Sequence, residues 1–298
     1  MDYKIIGDSC LDLTAEQKKD SHFMIIPLTL QVGDYHVVDD DTFDQLEFIR
    51  QVHSSPIGAK TGCPSPELFR QAFEETSQAN IFVITLSEHL SGTYQSATVG
   101  LEMYADEMRK AGESPTVETI DGGTIYRGSK NICIISSHSA SSGEQRVAMQ
   151  VSDMCEADTP FDDICRAIFA FRDSMKTYFV LESLETLRKN GRLSGTTALI
   201  ANVLNIKPIM AGEKGIIVKL DQARGMKKAL EKMVQIAISQ IKDGTQRAVV
   251  THVNNLERGH MVRDMLVAAN KFKEVIVCSA AGVTTVYAGD GGIVLAVG

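Results

Sequence analysis

Ile81-Phe82-Val83-Ile84-Thr85-Leu86, followed by Leu90-Ser91-Gly92-Thr93-Tyr94-Gln95-Ser96-Ala97, is the stretch that decides the fold. The first six residues form an apolar run of strand length, rich in β-branched and aromatic side chains. Beyond the loop, Ala97, Leu101, Tyr104 and Met108 recur at helical spacing. The segment therefore predicts strand, loop and helix, with Ser91 at the helix N-cap. A hydroxyl beside the free backbone N–H groups of a helix start suits a carboxylate or a phosphate. Earlier in the chain, Thr61-Gly62-Cys63-Pro64-Ser65-Pro66-Glu67 leads into Leu68, Phe69, Ala72 and Phe73 in the same manner. Two hydroxyl-bearing loops of this kind suggest one anion site built from both. Taken alone, each hydroxyl is equally an ordinary helix cap contributing roughly 1 kcal/mol.

Outward from this segment, strand-like runs at 3–6, 23–30, 81–86 and 132–136 alternate with helical patterns at 43–53, 66–76, 92–110 and 143–156. Such alternation predicts a parallel or mixed sheet covered by helices on both faces. Residues 111–130 are polar and glycine-rich and read as a loop insertion. Thr159-Pro160-Phe161-Asp162 carries a Thr cap, Pro at the first helical position and acid in the first turn, so a helix starts there. The domain boundary is placed just before it, giving units 1–158 and 159–298. The second half predicts strands at 178–181, 215–220, 249–253, 275–278 and 292–297. Its helices fall at 183–190 (closed by Asn190-Gly191), 194–204 (ended near Lys207-Pro208), 224–242 as the longest, and 256–270. The expected class is α/β: a parallel-sheet α/β/α N-terminal domain and a second α/β domain with a mixed sheet, whose last strands contribute to the interface between them.

The bulk numbers exclude several classes. With 30 basic and 38 acidic residues the net charge is −8, and no Lys/Arg stripe forms, which argues against nucleic acid. No apolar run approaches the roughly 20 residues that span a bilayer. Acid at Asp2 does not suit a signal peptide, so a cytoplasmic protein is expected. The six cysteines contain no Cys-x-x-Cys spacing and no His cluster, so no structural zinc site is expected, nor any other metal or cofactor.

Single features carry paired readings. Asp8-Ser9 follows the first strand, where α/β sheets place ligand or partner contacts, and equally could tie the turn. Asp39-Asp40-Asp41 reads as a solvated loop rather than a metal cage. Gly191 permits a positive backbone angle, and Arg192 can fork onto an anion or fix the domain junction and dock a partner. His89, His138 and His252 have no evident partners and are assigned to loops or surfaces. Ser91 lacks a nucleophile elbow, so no catalytic residue is assigned.

Taken in order, six segments resemble the DegV family of lipid-binding proteins. They are Ile6 to Leu13 with Asp8-Ser9, Ile26-Pro27-Leu28, Thr61 to Ser65, Leu90 to Ala97, Leu184 to Ser194, and Leu204 to Ile209. The resemblance implies a two-domain protein with a long-chain fatty acid between the domains. It implies that Thr61 and Ser91 hold the carboxylate, with Gly62 and Gly92 beside them, and that the acyl tail lies in the second domain. It further implies an acyl carrier for a separate fatty acid kinase. The chain departs from the family pattern in three places. Thr61-Gly62-Cys63 stands for Thr-Ser-Gln, Ser136-Ser137 for Asp-Ser, and Tyr287-Ala288-Gly289-Asp290-Gly291 for His-x-Gly-Pro-Gly. Tyr287 can donate to a carboxylate but cannot carry positive charge as His can. Beside the fatty acid carrier stand two alternatives: a binder of another long apolar ligand without kinase coupling, and an enzyme on a small phosphorylated or hydroxylated substrate.

Overall fold

The computed structural model describes residues 1–120, 122–193, 205–241, 244 and 246–298. The helix expected over 194–204 lies outside the described residues. Four parallel strands stand side by side in the first sheet, in the order β2 (Phe23–Ile26), β1 (Tyr3–Asp8), β6 (Asn80–Thr85) and β9 (Asn131–Ser136). An antiparallel pair, β8 (Gly123–Arg127) and β7 (Thr116–Ile120), extends the edge beyond β9. Residues 111–130, expected as a loop, supply this hairpin. Its arms carry the β-branched and aromatic pairs Val117–Tyr126 and Thr119–Thr124, and the glycines that suggested a loop form its turn and first rung.

The second sheet has the order β12 (Ile216–Arg224), β11 (Ile206–Glu213), β10 (Lys176–Val180), β15 (Ile293–Val297), β13 (Arg247–His252) and β14 (Glu274–Ser279). Only β13 and β14 run parallel, so the sheet is mixed. Pro208, read as a helix stop, lies inside β11. It faces Gln222 of β12, beyond the part of β11 that pairs with β10, where a missing N–H is tolerated.

These sheets stack with helices into five layers. On the outer face of the first sheet, α2 (Pro66–Glu75) and α3 (Thr93–Lys110) bury Phe69, Phe73, Leu101 and Tyr104 against Ile81 and Val83. Its inner face receives α4 (Ser142–Glu156) and α5 (Phe161–Ser174). The helix expected to open the second unit is α5, and its Phe161, Ile164 and Ile168 share a core with Ile5 and Phe82 of the first sheet. α4 also touches the second sheet: Ser142 Oγ bonds Thr251 Oγ1 at 2.8 Å, and Met149 packs on Val249 and Cys278. Lying between two sheets, α4 is buried on nearly every side of its first two turns, polar residues included. The far face of the second sheet is covered by α7 (Met226–Gln240) and α8 (Leu256–Ala268). Among the described helices of the second half the longest is α7, at 15 residues, which lies within the predicted 224–242.

A third sheet of β3 (Thr29–Val32), β4 (Tyr35–Val38) and β5 (Lys60–Gly62) was not foreseen. The apolar run 23–30 reads as one strand, but Pro27 breaks it, leaving β2 in the first sheet and β3 in the small one. The small sheet packs Leu28 and Leu30 with Phe48 of α1 (Gln45–Ser54) and with Val283 and Val286 of α9 (Gly282–Ala288). Among the described residues, no helix is long and apolar enough to cross a membrane.

Candidate ligand-binding site

A cavity opens where the loops at the ends of the first sheet face the second sheet and α9. Alternation along β10 explains its wall. Thr177 and Phe179 point into it, with Leu181 just beyond the strand, while Tyr178 and Val180 turn to the core beneath α7. Leu86 and Leu90 come from the first unit, Leu187 from α6 (Glu185–Lys189), and Ile216 and Ile217 from β12. The wall is therefore largely apolar.

At one end stand Arg192 and Tyr287, both in the cavity wall. Tyr287 OH and Thr61 Oγ1 share a hydrogen bond of 3.0 Å. The Arg192 guanidinium lies over the Tyr287 ring, 5.5 Å from its centroid, and Nε donates to the Leu90 carbonyl at 3.1 Å. A second N–H goes to the Asn190 carbonyl, so two of its five N–H groups are engaged in the described bonds. Gly191 has φ +72, the left-handed value its sequence context suggested, and it turns the chain so that Arg192 reaches back. Assigned from sequence to docking or the domain junction, Arg192 lines the cavity itself.

Thr61, Gly62, Ser91 and Gly92 lie beside this end rather than in the wall. Thr61 and Gly62 form part of β5, and a Cβ on Gly62 would stand 2.7 Å from Thr29 Oγ1. The predicted N-cap moves by one residue: Gly92 caps α3, and Ser91 Oγ instead bonds Thr93 Oγ1 at 2.9 Å and accepts from Thr93 N at 3.3 Å. The two hydroxyl loops do meet. Cys63 Sγ is 3.3 Å from where a Gly92 Cβ would be and 3.9 Å from Ser96 Oγ.

Behind the cavity lies a buried acidic seam. Asp8 and Ser9 are 0 % and 3 % exposed, which corrects their reading as a partner surface. Asp8 accepts from the backbone N–H of Cys10 and Leu86, each at 2.9 Å, and Ser9 Oγ accepts from Leu28 N at 3.0 Å, so both tie the turn. Asp12 accepts from Ala281 N and Ser141 Oγ, both at 2.6 Å, and from Thr284 Oγ1 at 2.9 Å. Asp39, expected in a solvated loop, is buried. It accepts from Gly282 N at 2.7 Å and Val283 N at 2.8 Å, the free N–H groups at the start of α9. Two aspartates from the first half of the chain thus fix the helix that carries Tyr287. Burial pushes Asp8 and Asp12 up to about 7 despite these donors. Glu144 on α4 is fully buried beside Asp8 and Cys10, and burial followed by the charges of Asp8 and Asp12 raises its pKa well above the carboxylate range. Oxygen and sulfur atoms of Asp8, Cys10 and Glu144 lie within 4.8 Å of one another, close enough for a metal ion in principle. A proton on Glu144 shared with Asp8 answers the same electrostatic need.

The other end of the cavity closes on His138, Thr177 and the β11–β12 turn, which Ser87 Oγ pins by a 2.8 Å bond to the Gly215 carbonyl. His138 lies in the loop between β9 and α4, within the loop-or-surface reading, but it has partners and is largely covered. Nε2 lies 3.2 Å from Glu88 and Nδ1 3.3 Å from Asp173, with the side chain 10 % exposed. Burial opposes charge on Glu88, but bonds from His138 and Ser136 outweigh it and hold the carboxyl down at about 2. His252 is also buried and accepts from Asn255 N at 3.3 Å, while His89 stays half exposed.

By class this is a layered α/β protein with a largely apolar cavity lined by both halves of the chain. The family follows from comparison. Residues 2–297 match the model described as an uncharacterised protein of the DegV family, and the chain belongs to that family. It is similar to a solved DegV family protein from Ruminococcus gnavus refined with vaccenic acid, at 36 % identity and TM-score 0.87, covering 99 % of each chain. It is also similar to a DegV family protein from Eubacterium eligens loaded with heptadecanoic acid, at 26 % identity and TM-score 0.84, covering 99 % of this chain and 98 % of that one. A third is the fatty acid kinase B3 protein of Streptococcus pneumoniae loaded with linoleic acid, at 26 % identity and TM-score 0.83, covering 99 % of each.

Proposed function

We propose that this chain is a cytoplasmic carrier that binds a long-chain fatty acid in the cavity and presents its carboxylate at the Arg192–Tyr287–Thr61 end to a separate fatty acid kinase. One observation carries the reading: an aliphatic space between the two sheets ends on a guanidinium and a paired set of hydroxyls. An acyl chain of about 16 carbons entering it gains on the order of 10 kcal/mol in transfer free energy, at roughly 0.8 per methylene. Association and ordering costs offset much of that gain. The polar end fixes direction. Arg192 supplies the charge and Tyr287, with Thr61 and Ser91 nearby, supplies hydroxyl donors. A carboxylate held there faces the loops rather than the core, which is the placement a kinase needs for in-line attack. The fatty acids held by the solved relatives from Ruminococcus gnavus, Eubacterium eligens and Streptococcus pneumoniae support the ligand class, and the kinase name of the last supports the partner.

The test is direct. Protein purified from a bacterial host is denatured and its small molecules identified by mass spectrometry, and the delipidated protein is titrated with oleate and palmitate. A co-purified fatty acid and saturable binding are expected. Absence of both ends the carrier reading. Replacing Thr61 and Ser91 together with Ala is expected to weaken binding, and unchanged affinity removes them from the head-group assignment.

A further inference from the structure

The far end of the cavity is not a closed apolar wall. A second space lies beyond it, and His138, Thr177 and Gly212 bound both spaces. Gly212 sits within β11, opposite Thr177 of β10 and Ile217 of β12, at an ordinary strand conformation. A Cβ built on it meets nothing nearer than the His138 carbonyl oxygen and Thr177 Cβ, each at 3.9 Å. A side chain is therefore sterically admissible there, in ordinary contact with both neighbours, and glycine leaves this stretch of the boundary between the two spaces without one. The second space is polar. Arg172, Lys176 and Lys214 line it with Asp173 and Glu213, and Thr177 Oγ1 is bonded to Ser139 Oγ at 2.8 Å at the threshold.

A methyl terminus gains nothing from such surroundings, whereas a hydroxyl terminus finds donors, acceptors and charge. We infer that the site accepts long-chain fatty acids bearing a hydroxyl group at the end remote from the carboxylate, with Gly212 as the aperture through which that end passes. This inference rests on the carrier reading above. It assigns the cavity a second polar subsite and makes Gly212 a specificity-determining position.

The experiment uses the full, delipidated chain and two ligand series of 12 to 18 carbons: plain saturated acids and their ω-hydroxy counterparts. Burying an unmatched hydroxyl in an apolar pocket weakens binding by about fivefold to a hundredfold. Here, at one or more chain lengths, the ω-hydroxy acid is expected to bind within about threefold of the plain acid or more tightly. At that length, Gly212→Leu is expected to lower the ω-hydroxy to plain affinity ratio at least tenfold, with Gly212→Ala intermediate. An ω-hydroxy penalty of about tenfold or more at every length in the wild type overturns the inference, and needs no variant to fold. An unchanged ratio in a folded Gly212→Leu protein overturns it as well. Failure of every plain acid to bind is a separate result: it removes the carrier reading, and the aperture with it.

Discussion

The cavity's entrance and the acidic seam behind it are both polar and both draw on the start or end of α9, yet they are built on opposite terms. In the seam, Asp8, Asp12 and Asp39 are buried and each accepts two or three hydrogen bonds, most of them from backbone N–H groups. At the entrance, Arg192 keeps N–H groups in reserve and the Thr61–Tyr287 pair stands at a cavity edge. Saturated polar groups hold a shape, and unsaturated ones in a wall can receive a ligand. The seam serves the entrance, because Asp12 and Asp39 set the helix on which Tyr287 is carried.

The sharpest way to break this contrast is to empty one member of the seam. Asp12→Ala leaves Ala281 N, Ser141 and Thr284 without their acceptor across the junction. Urea unfolding should show a loss of about 3 kcal/mol, the scale for removing a hydrogen-bonded buried carboxylate. If stability is unchanged, the seam is not what joins the halves.

Acidity tests the same seam more gently. Asp8 moves from the ordinary 3.8 to about 7 on folding, so between those values the folded state holds more protons than the unfolded one. Stability contributed by the protonated group is fully present below pH 3.8 and is lost as pH rises through about 7. Between pH 5 and pH 8 that amounts to about 2 kcal/mol for one such group. Asp8→Asn should flatten this fall in a series of urea unfolding curves. An equally steep fall in the variant assigns the slope elsewhere.

At the entrance the readout is affinity rather than stability. Arg192→Ala should weaken binding of a plain fatty acid about thirtyfold, the equivalent of about 2 kcal/mol for a charge-assisted hydrogen bond. Arg192→Lys keeps the charge but loses the fork and the stacking on Tyr287, so it should recover only part of the loss. Equal affinity in wild type and Arg192→Ala would place the carboxylate at another point of the wall.

Legibility in the sequence followed the range of each interaction. Strand, loop and helix around Ser91 were readable because period and punctuation are local, and so were the mixed second sheet and the turn at Gly191. The hairpin at 116–127 was missed because its residues look polar when taken singly and become a strand pair only by facing each other. The third sheet was missed for a similar reason: β3 and β5 are short, and the apolar run that feeds β3 continues β2 without a visible seam except Pro27. Among site residues, Thr61 and Tyr287 were named for different motifs, and nothing local announced that their hydroxyls would meet at 3.0 Å. Asp39 reads as solvated, and His138 as lacking partners, because the groups they meet are distant in sequence. Only Cys10 offered an unused signal, since it follows the C-terminal end of β1, where α/β folds gather ligand contacts.

Tyr287 gives the smallest effect and the finest discrimination. Tyr287→Phe removes one hydroxyl and leaves the ring under Arg192, so affinity for a plain acid should fall about fivefold, the equivalent of one neutral hydrogen bond. Tyr287→His restores the residue type of the family pattern. An imidazole titrates near pH 6.5, so this variant should bind the carboxylate more tightly at pH 5.5 than at pH 7.5, and more steeply so than wild type. Calorimetric titration with palmitate at both values separates the cases. If Tyr287→His shows no added pH dependence, the carboxylate does not sit within reach of this side chain, and Tyr287 belongs with the saturated seam rather than with the entrance.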